Sequence, residues 1–442
     1  MLEPKMQETF SVSQNPGKRL GIHYFADSAH YNHSDLERWL PKLRDLGMHW
    51  ITLQAPLDRA IPQEFITALL DSGIQPILHF LIPLERPAKI EELAPMFKAY
   101  AAWGVQHVVL FDRPNLRAQW PGTGWTQRGL VDRFLKFFLP LAKAALEAGL
   151  TPVFPPLEPG GDYWDTAFLR AALEAIAKQT ESELREHLAL AAYAWAGDKP
   201  LDWGAGGPES WPASLPYSTP PDSQDQRGLR IFDWYNAISR AELDKELPIF
   251  LVAAGMHREE TETHDENHAA RVIEIAKAME SDPDSQELAA VPANVMACNL
   301  WLLAAEPAQL EAGHAWFNAD GEPKEIAKQW MAWRQGSPMP TNPVAPNYSS
   351  HSMSIEINGE RPIRHYLLLP GREPTAWLFA EFNAYLSENQ PTIGYSMQEA
   401  QQAGRVTLAG GLQAFSDEMI RALIEAGCQV DSLQSNGGDL AN

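Results

Sequence analysis

The chain's 442 residues exceed one ordinary domain, so two or three are expected, although a single α/β barrel can take roughly 250 residues or more. Its net charge is −22, from 57 acidic against 35 basic residues. That balance is the wrong sign for phosphate backbones and anionic lipid, and it disfavours nucleic acid as a partner. The two cysteines, Cys298 and Cys428, support neither a disulfide framework nor a zinc pattern. The opening stretch, MLEPKMQETFSVSQNPGKRLGIHYF, lacks the apolar core of a signal peptide. No apolar run reaches about 18 residues, so no membrane span is expected. The cytoplasm is therefore the default compartment, with cell-envelope association as the alternative.

In chain order, RLGIHYF (19–25) is a short apolar run. SDLERWLPKLRDLG (34–47) spaces its leucines helically, with Ser34 as N-cap, Glu37 three residues on and Gly47 at the end. HWITLQAP (49–56) is a strand, IPQEFITALLDSG (61–73) a helix, QPILHFLIP (75–83) a strand, KIEELAPMFKAYAAWG (89–104) a helix and VQHVVLFD (105–112) a strand. The alternation then continues through LTPVFPPLEP, HLALAAYAW, LPIFLVAAG and VMACNLWLLA as strands, with helical segments between them. A long connection, 196 to about 228, is rich in Gly, Pro and Trp. Eight strands and eight helices within 19–335 predict a (β/α)8 barrel, preceded by an N-terminal extension over 1–18. A doubly wound open sheet is the alternative, but HYFADSAHY lacks its glycine fingerprint. GSPMPTNPVAPNYSS (336–350) reads as a linker. Residues 351–442 then read as a small α/β domain with a frayed tail, its strands predicted at RHYLLLP, PTIGYS, RVTLAGG and CQVDSL.

In such a barrel the site lies at the C-terminal ends of the strands. Strand one delivers His23, Tyr24 and Asp27 there; strands two and three deliver Gln54 and His79. Strand four delivers Asp112, Arg113 and Asn115, and strand five Glu158, with Asp162 and Asp165 beyond. Strand six delivers Tyr193 and Trp195, strand seven Met256 and His257 with Glu259 and Glu260 in its loop, and strand eight Asn299 and Trp301. Polar and aromatic groups mixed in this way suit a neutral, hydroxyl-rich ligand. The fifteen tryptophans divide between core and sugar platforms, because an indole pairs an apolar face with an N–H edge. Each residue also has an ordinary structural role open to it. His79 fits a satisfied core histidine, Trp301 a plug of the barrel mouth, and Arg113 a rim ion pair with Asp112 or Glu158. Glu158, stiffened by the prolines of PPLEPGG, is a better-placed acid than one in a free loop. No metal or cofactor motif is present.

The barrel resembles the large superfamily of retaining β-glycosidases. In that group strand four ends in Asn-Glu, often followed by Pro-Asn, where this chain reads Asp112-Arg113-Pro114-Asn115. Strand seven ends there in a glutamate, where this chain reads Val252-Ala253-Ala254-Gly255. THDENHAARVIEIAKA (263–278) is similar to the helix start that often follows that glutamate, and Trp301 stands at the strand-eight tryptophan. The resemblance implies a carbohydrate ligand. It also implies that Arg113 and Ala254 occupy the two catalytic positions. Retaining hydrolysis needs two carboxyl groups about 5–5.5 Å apart, one protonated and one ionised. Arginine donates no proton at neutral pH, and alanine has no nucleophile. Two expectations follow. One is a glycoside hydrolase-like enzyme using Asp112 and Glu158 as relocated acids. The other is an inactive barrel that binds a glycan on Trp195, Trp203, Trp211 and Trp301. The tail stretch RVTLAGGLQAFSDEMIRALIEAGCQVDSL resembles one unit of the type-2 cell-wall-binding repeat, which implies a tether to the cell wall. Oligomeric state, sugar and linkage are not legible.

Overall fold

A computed structural model describes residues 18–180, 182–256, 265–281 and 290–336. In the C-terminal part it describes 361, 363–370, 385, 389, 391–394, 397–409 and 415–433. The chain divides into two compact units, Met1–Thr341 and Asn342–Asn442.

The first unit is a closed barrel of eight parallel strands in sequential order, which excludes the open doubly wound sheet. The strands are β1 (Leu20–His23), β2 (Trp50–Gln54), β3 (Gln75–Phe80), β4 (His107–Leu110), β5 (Thr151–Phe154), β6 (Ala189–Trp195), β7 (Ile249–Gly255) and β8 (Val295–Leu300). The main crossover helices are α1 (His33–Asp45), α2 (Gln63–Asp71), α3 (Ile90–Ala102), α4 (Leu130–Glu147) and α5 (Asp165–Gln179). After a short α6 (Ser182–His187) and a single-turn α7 (Gly207–Ser210) come α8 (Ile231–Leu243), α9 (Asp265–Glu280) and, following β8, α10 (Glu325–Arg334). The two short helices, of six and four residues, are too short to show a helical period in the sequence.

Strand alternation makes two cores, because successive side chains point to opposite faces. Leu20, Ile22, Ile51, Leu53, Val108 and Leu110 face the helices. Ile77, Val109, Val153, Ala191, Phe250 and Val252 fill the interior. Near its base, Trp50, His107 and Phe250 pack ring to ring, with centroids 4.6–5.7 Å apart. Burial lowers the His107 imidazole to about 4, so it sits there neutral. Gly21 is required at this level, since a Cβ on it would lie 2.2 Å from Asn299 Oδ1.

Local signals were displaced in two places. The cap of α1 is Asn32 rather than Ser34. The Asn32 side chain accepts from the Asp35 N–H at 2.9 Å, and the Asp35 carboxylate accepts from the Asn32 N–H at 3.0 Å. An Asn-x-x-Asp box thus takes the place of the Ser34–Glu37 spacing. Strand four stops at Leu110 rather than Asp112, because Phe111 and Arg113 take left-handed φ values of 70° and 43°.

The second unit carries a four-stranded parallel sheet built from β9 (Ile363–Leu368), β10 (Thr392–Gly394), β11 (Ala403–Ala409) and β12 (Gln429–Leu433), in the order β10-β9-β11-β12. All four strands fall where strands were expected. The Asp417–Glu425 helix begins on Ser416, whose hydroxyl accepts from the Met419 N–H. The expected helix TAWLFAEFNAYLSE and the 336–350 linker lie almost wholly outside the described residues.

Candidate active site

The strand ends β4 and β5 meet at an ion pair network. Arg113 Nε donates to Asp112 Oδ2 at 2.9 Å, and Arg113 Nη1 stands 3.4 Å from Glu158 Oε2. The other Asp112 oxygen accepts from the Tyr193 hydroxyl at 2.7 Å. All three charged side chains are nearly enclosed, at 8% exposed for Asp112, 15% for Arg113 and 17% for Glu158. Burial alone would depress the Arg113 guanidinium. The charge of Asp112 outweighs it, with help from Tyr193 and Glu158, and holds the group above its ordinary value. Arg113 is therefore a fixed cation between two acids.

The left-handed turns at Phe111 and Arg113 build this arrangement. For residues with a Cβ that region costs of order 1–3 kcal/mol and persists where the surroundings enforce it. Here the enforcing contacts are the Phe111 N–H to Phe80 O at 2.9 Å and the Arg113 N–H to Pro156 O at 3.0 Å. Asn115 completes the brace. Its amide donates to the carbonyls of Glu158 and Tyr163, both at 2.9 Å, and accepts from the Glu158 N–H at 2.9 Å. Fully buried and so occupied, Asn115 positions Glu158 and offers nothing to a ligand.

An aromatic wall continues from Tyr193. Its ring stacks on Trp195 at 5.4 Å, Trp195 meets Trp301 edge-on at 6.0 Å, and Trp301 meets His23 edge-on at 4.5 Å. These four are 5–6% exposed. Strands β1, β4, β5, β6 and β8 thus deliver one continuous arc: His23, Trp301, Trp195, Tyr193, Asp112, Arg113 and Glu158. The Trp301 indole N–H is buried with no partner, a feature that native interiors seldom keep without a ligand or water to explain it.

His79 lies at the arc's edge, fully enclosed, with Nε2 2.9 Å from Phe111 O. Burial lowers its pKa, partly offset by Asp112. It supports the strained Phe111. Gln54 ends β2 half-buried, and its backbone carbonyl accepts from the Tyr31 hydroxyl. Asn299 is buried inside the barrel, its amide 3.3 Å from Leu251 O. Asp27 joins the rim, held by His30 Nδ1 at 2.8 Å and Gln309 Nε2 at 2.9 Å.

Three expectations need correction. Tyr24 does not face the mouth: one residue past His23, it points to the opposite face and packs among Phe25, Tyr31 and Phe65 under the helices. Trp203 is not part of the arc. It belongs to a knot in the β6–α8 connection, its indole donating to Asp225 at 3.1 Å with Lys199 over its ring. Ala254 packs into the helix-side core, while Ala253 faces the interior. A register shift between Ala192 and Tyr193, where β6 pairs with β7, displaces the alternation. The catalytic position assigned to Ala254 is therefore not at the mouth. His257, Glu259 and Glu260 lie outside the described residues.

Sequence reading placed Asp165 beyond Glu158 without a role. The structure encloses it completely. One oxygen accepts from the Gly160 N–H at 2.9 Å and Gln226 Nε2 at 2.6 Å, and the other has no partner. Burial pushes this carboxyl up to about 7. Nothing in its sequence context signals this, because the covering residue Gln226 lies on a distant loop. Among the described residues no group of three or more His, Cys, Asp or Glu is arranged to hold a metal, and no helix is long and apolar enough to cross a membrane.

No protein-family profile matches the chain, and no curated protein matches it in sequence. Among solved structures the chain is similar to a calcium-binding mutant of β-glucuronidase 2 from Bacteroides uniformis, with TM-score 0.45 and 10% identity over 72% of this chain and 35% of that one. It is likewise similar to Gas2p of Saccharomyces cerevisiae in complex with laminaritriose and laminaritetraose, with TM-score 0.43 and 10% identity over 71% of this chain and 63% of that one. A third likeness is to β-galactosidase from the psychrophilic Marinomonas ef1, with TM-score 0.41 and 11% identity over 94% of this chain and 75% of that one. The chain thus spans about a third of the glucuronidase's length. At these values the likeness assigns no reaction.

Proposed function

We propose that the barrel is a glycosidase-like saccharide-binding protein whose strand-end acids do not perform two-carboxyl hydrolysis. The observation that carries this reading is Arg113 between Asp112 and Glu158. Retaining and inverting hydrolysis both need one carboxyl that can hand a proton to the leaving oxygen. Both oxygens of Asp112 are taken by donors, from Arg113 and Tyr193. Glu158 shares the same cation. A ligand at this mouth meets an aromatic wall and an unmatched indole N–H, which suits a sugar ring and one of its hydroxyls.

The competing reading is a hydrolase with Asp112 and Glu158 as its acids. The backbone strain at Phe111 and Arg113 favours it, because such strain gathers at working sites. The experiment that separates the two is reducing-sugar release from a broad panel of plant and bacterial cell-wall glycans, run beside binding on the same panel. The binding reading expects saturable binding with no product, and loss in Trp301→Ala of the part of that binding that belongs to the mouth. Release that falls by orders of magnitude in Asp112→Asn or Glu158→Gln would replace it with the hydrolase. Release unchanged in both but lost in Glu259→Gln or Glu260→Gln would move the chemistry to strand seven. A cell-wall role for the tail rests on its sequence resemblance alone, and is checked by binding of the full chain to isolated wall sacculi.

A further inference from the structure

Outside the mouth, on the barrel's flank, an open groove of about 640 Å³ runs between the β4–α4 loop and α5. Three aromatic side chains from three separate loops line it: Trp125, Tyr163 and Tyr217. Each is held by its backbone or its polar tip. Arg133 clamps the Trp125 loop by donating to the carbonyls of Gly124 at 2.6 Å and Gln127 at 2.9 Å. The Tyr163 N–H donates to Asn115 O at 2.9 Å. The Tyr217 hydroxyl accepts from the Trp164 N–H at 2.8 Å, while the residue is 57% exposed. Tyr217 also takes a left-handed φ of 65° in a tight turn closed by the Leu215–Ser218 bridge. One side of the ring packs on Trp164, with centroids 5.4 Å apart, which fixes its orientation while leaving more than half of the residue exposed beside the groove.

Gln127, Asp132 and Asp162 also line the groove. Glu174 and Lys178 at the far wall pair with each other at 2.5 Å. The lining is thus aromatic faces with carboxylate and amide acceptors, on a chain of net charge −22. It repels anions, and its polar edge is wrong for a purely apolar ligand. Flat apolar faces ringed by hydroxyls match it, because C–H faces stack on the rings while hydroxyls donate to the carboxylates.

We propose that this flank groove is a second saccharide-binding site, for an uncharged oligosaccharide, using Trp125 and Tyr217 as its platforms. The site goes beyond the reading of the barrel mouth and does not depend on it. The test titrates the full chain with short cello-, laminari-, manno- and xylo-oligosaccharides, following binding by calorimetry. Trp125→Ala and Tyr217→Ala are each expected to weaken flank binding by about tenfold, equivalent to about 1.4 kcal/mol. Tyr217→Phe keeps the ring but loses its tie to the Trp164 N–H, and is expected to bind more weakly than the unaltered chain and more tightly than Tyr217→Ala. Trp301→Ala, which alters only the mouth, is expected to leave flank binding in place. Unchanged circular dichroism in the surface variants separates lost binding from lost fold. The proposal is overturned if no member of the panel binds, if losing both flank rings changes nothing, or if Trp301→Ala alone removes all binding. Tighter binding of chito-oligosaccharides bearing free amines than of any neutral sugar would also overturn it, by making the carboxylates a cation site.

Discussion

Asp165 is the residue whose chemistry departs furthest from its sequence context. Its carboxyl is fully enclosed at the start of α5, and burial pushes it up to about 7. An unfolded aspartate titrates near 3.9. Between those values the native chain binds a proton that the unfolded chain has lost, so stability falls as pH rises from about 4 to about 7. The slope amounts to on the order of 4 kcal/mol across that window. Asp165→Asn removes the titrating group while an amide oxygen still accepts from Gly160 and Gln226. Urea unfolding at pH 4.5 and pH 7.5 is expected to show a smaller pH difference in the variant than in the parent chain. Equal differences in the two proteins would mean that Asp165 is not the buried acid inferred here. Arg113 teaches a related lesson. An ion pair with Asp112 or with Glu158 was legible in the sequence, but holding both at once depends on a left-handed backbone that no local pattern announces.

At the scale of elements, the strand ends carry the site and the loops fix them. Strands β4 and β5 stop two or more residues before the polar residues they present. Asn115 and the proline pair Pro155-Pro156 then hold those residues in place. The β6–α8 connection is likewise built. Asp225, almost fully buried, accepts from Arg227, Trp203 and Thr219. Burial would raise the Asp225 carboxyl, but Arg227 outweighs it and holds it down at about 2. Gly204 makes this packing possible. At φ 76° a Cβ there would lie 2.2 Å from Asp225 O. Gly204→Ala is expected to destabilise by about 1–3 kcal/mol from the backbone alone, with the clash adding to it. The check is a lower urea midpoint together with changed fluorescence from Trp203. A variant as stable as the parent chain would show that the loop shifts freely. The sequence offers Trp203 and Trp211 of this stretch as sugar platforms. The structure instead spends Trp203 on the internal knot, and the exposed aromatic is Tyr217.

At the scale of the whole molecule, two units each own their core. The barrel's hydrophobic clusters and those of the C-terminal sheet share no residue, and the division falls at Thr341. A chain ending at Thr341 is therefore expected to fold alone, with one cooperative unfolding transition. Aggregation or a featureless melt would show that the barrel depends on the second unit. Ala254→Glu, a carboxyl at the position the resemblance equates with the strand-seven glutamate, would bury a carboxylate under the helices. It is expected to cost several kcal/mol of stability and restore no activity.

By itself, the sequence determined the barrel, its strand order and the four strands of the second unit, because periodicities of 2 and 3.6 and short connections are local properties. It also determined which strand ends carry His23, Asp112, Glu158, Trp195 and Trp301. Only the tertiary structure decided which of these residues meet. A one-residue register shift sends Ala254 outward. Strand alternation takes Tyr24 to the helix side, and two left-handed residues turn Arg113 between the acids. Such choices rest on contacts between segments distant in sequence, where a single residue of phase reverses the face a side chain presents.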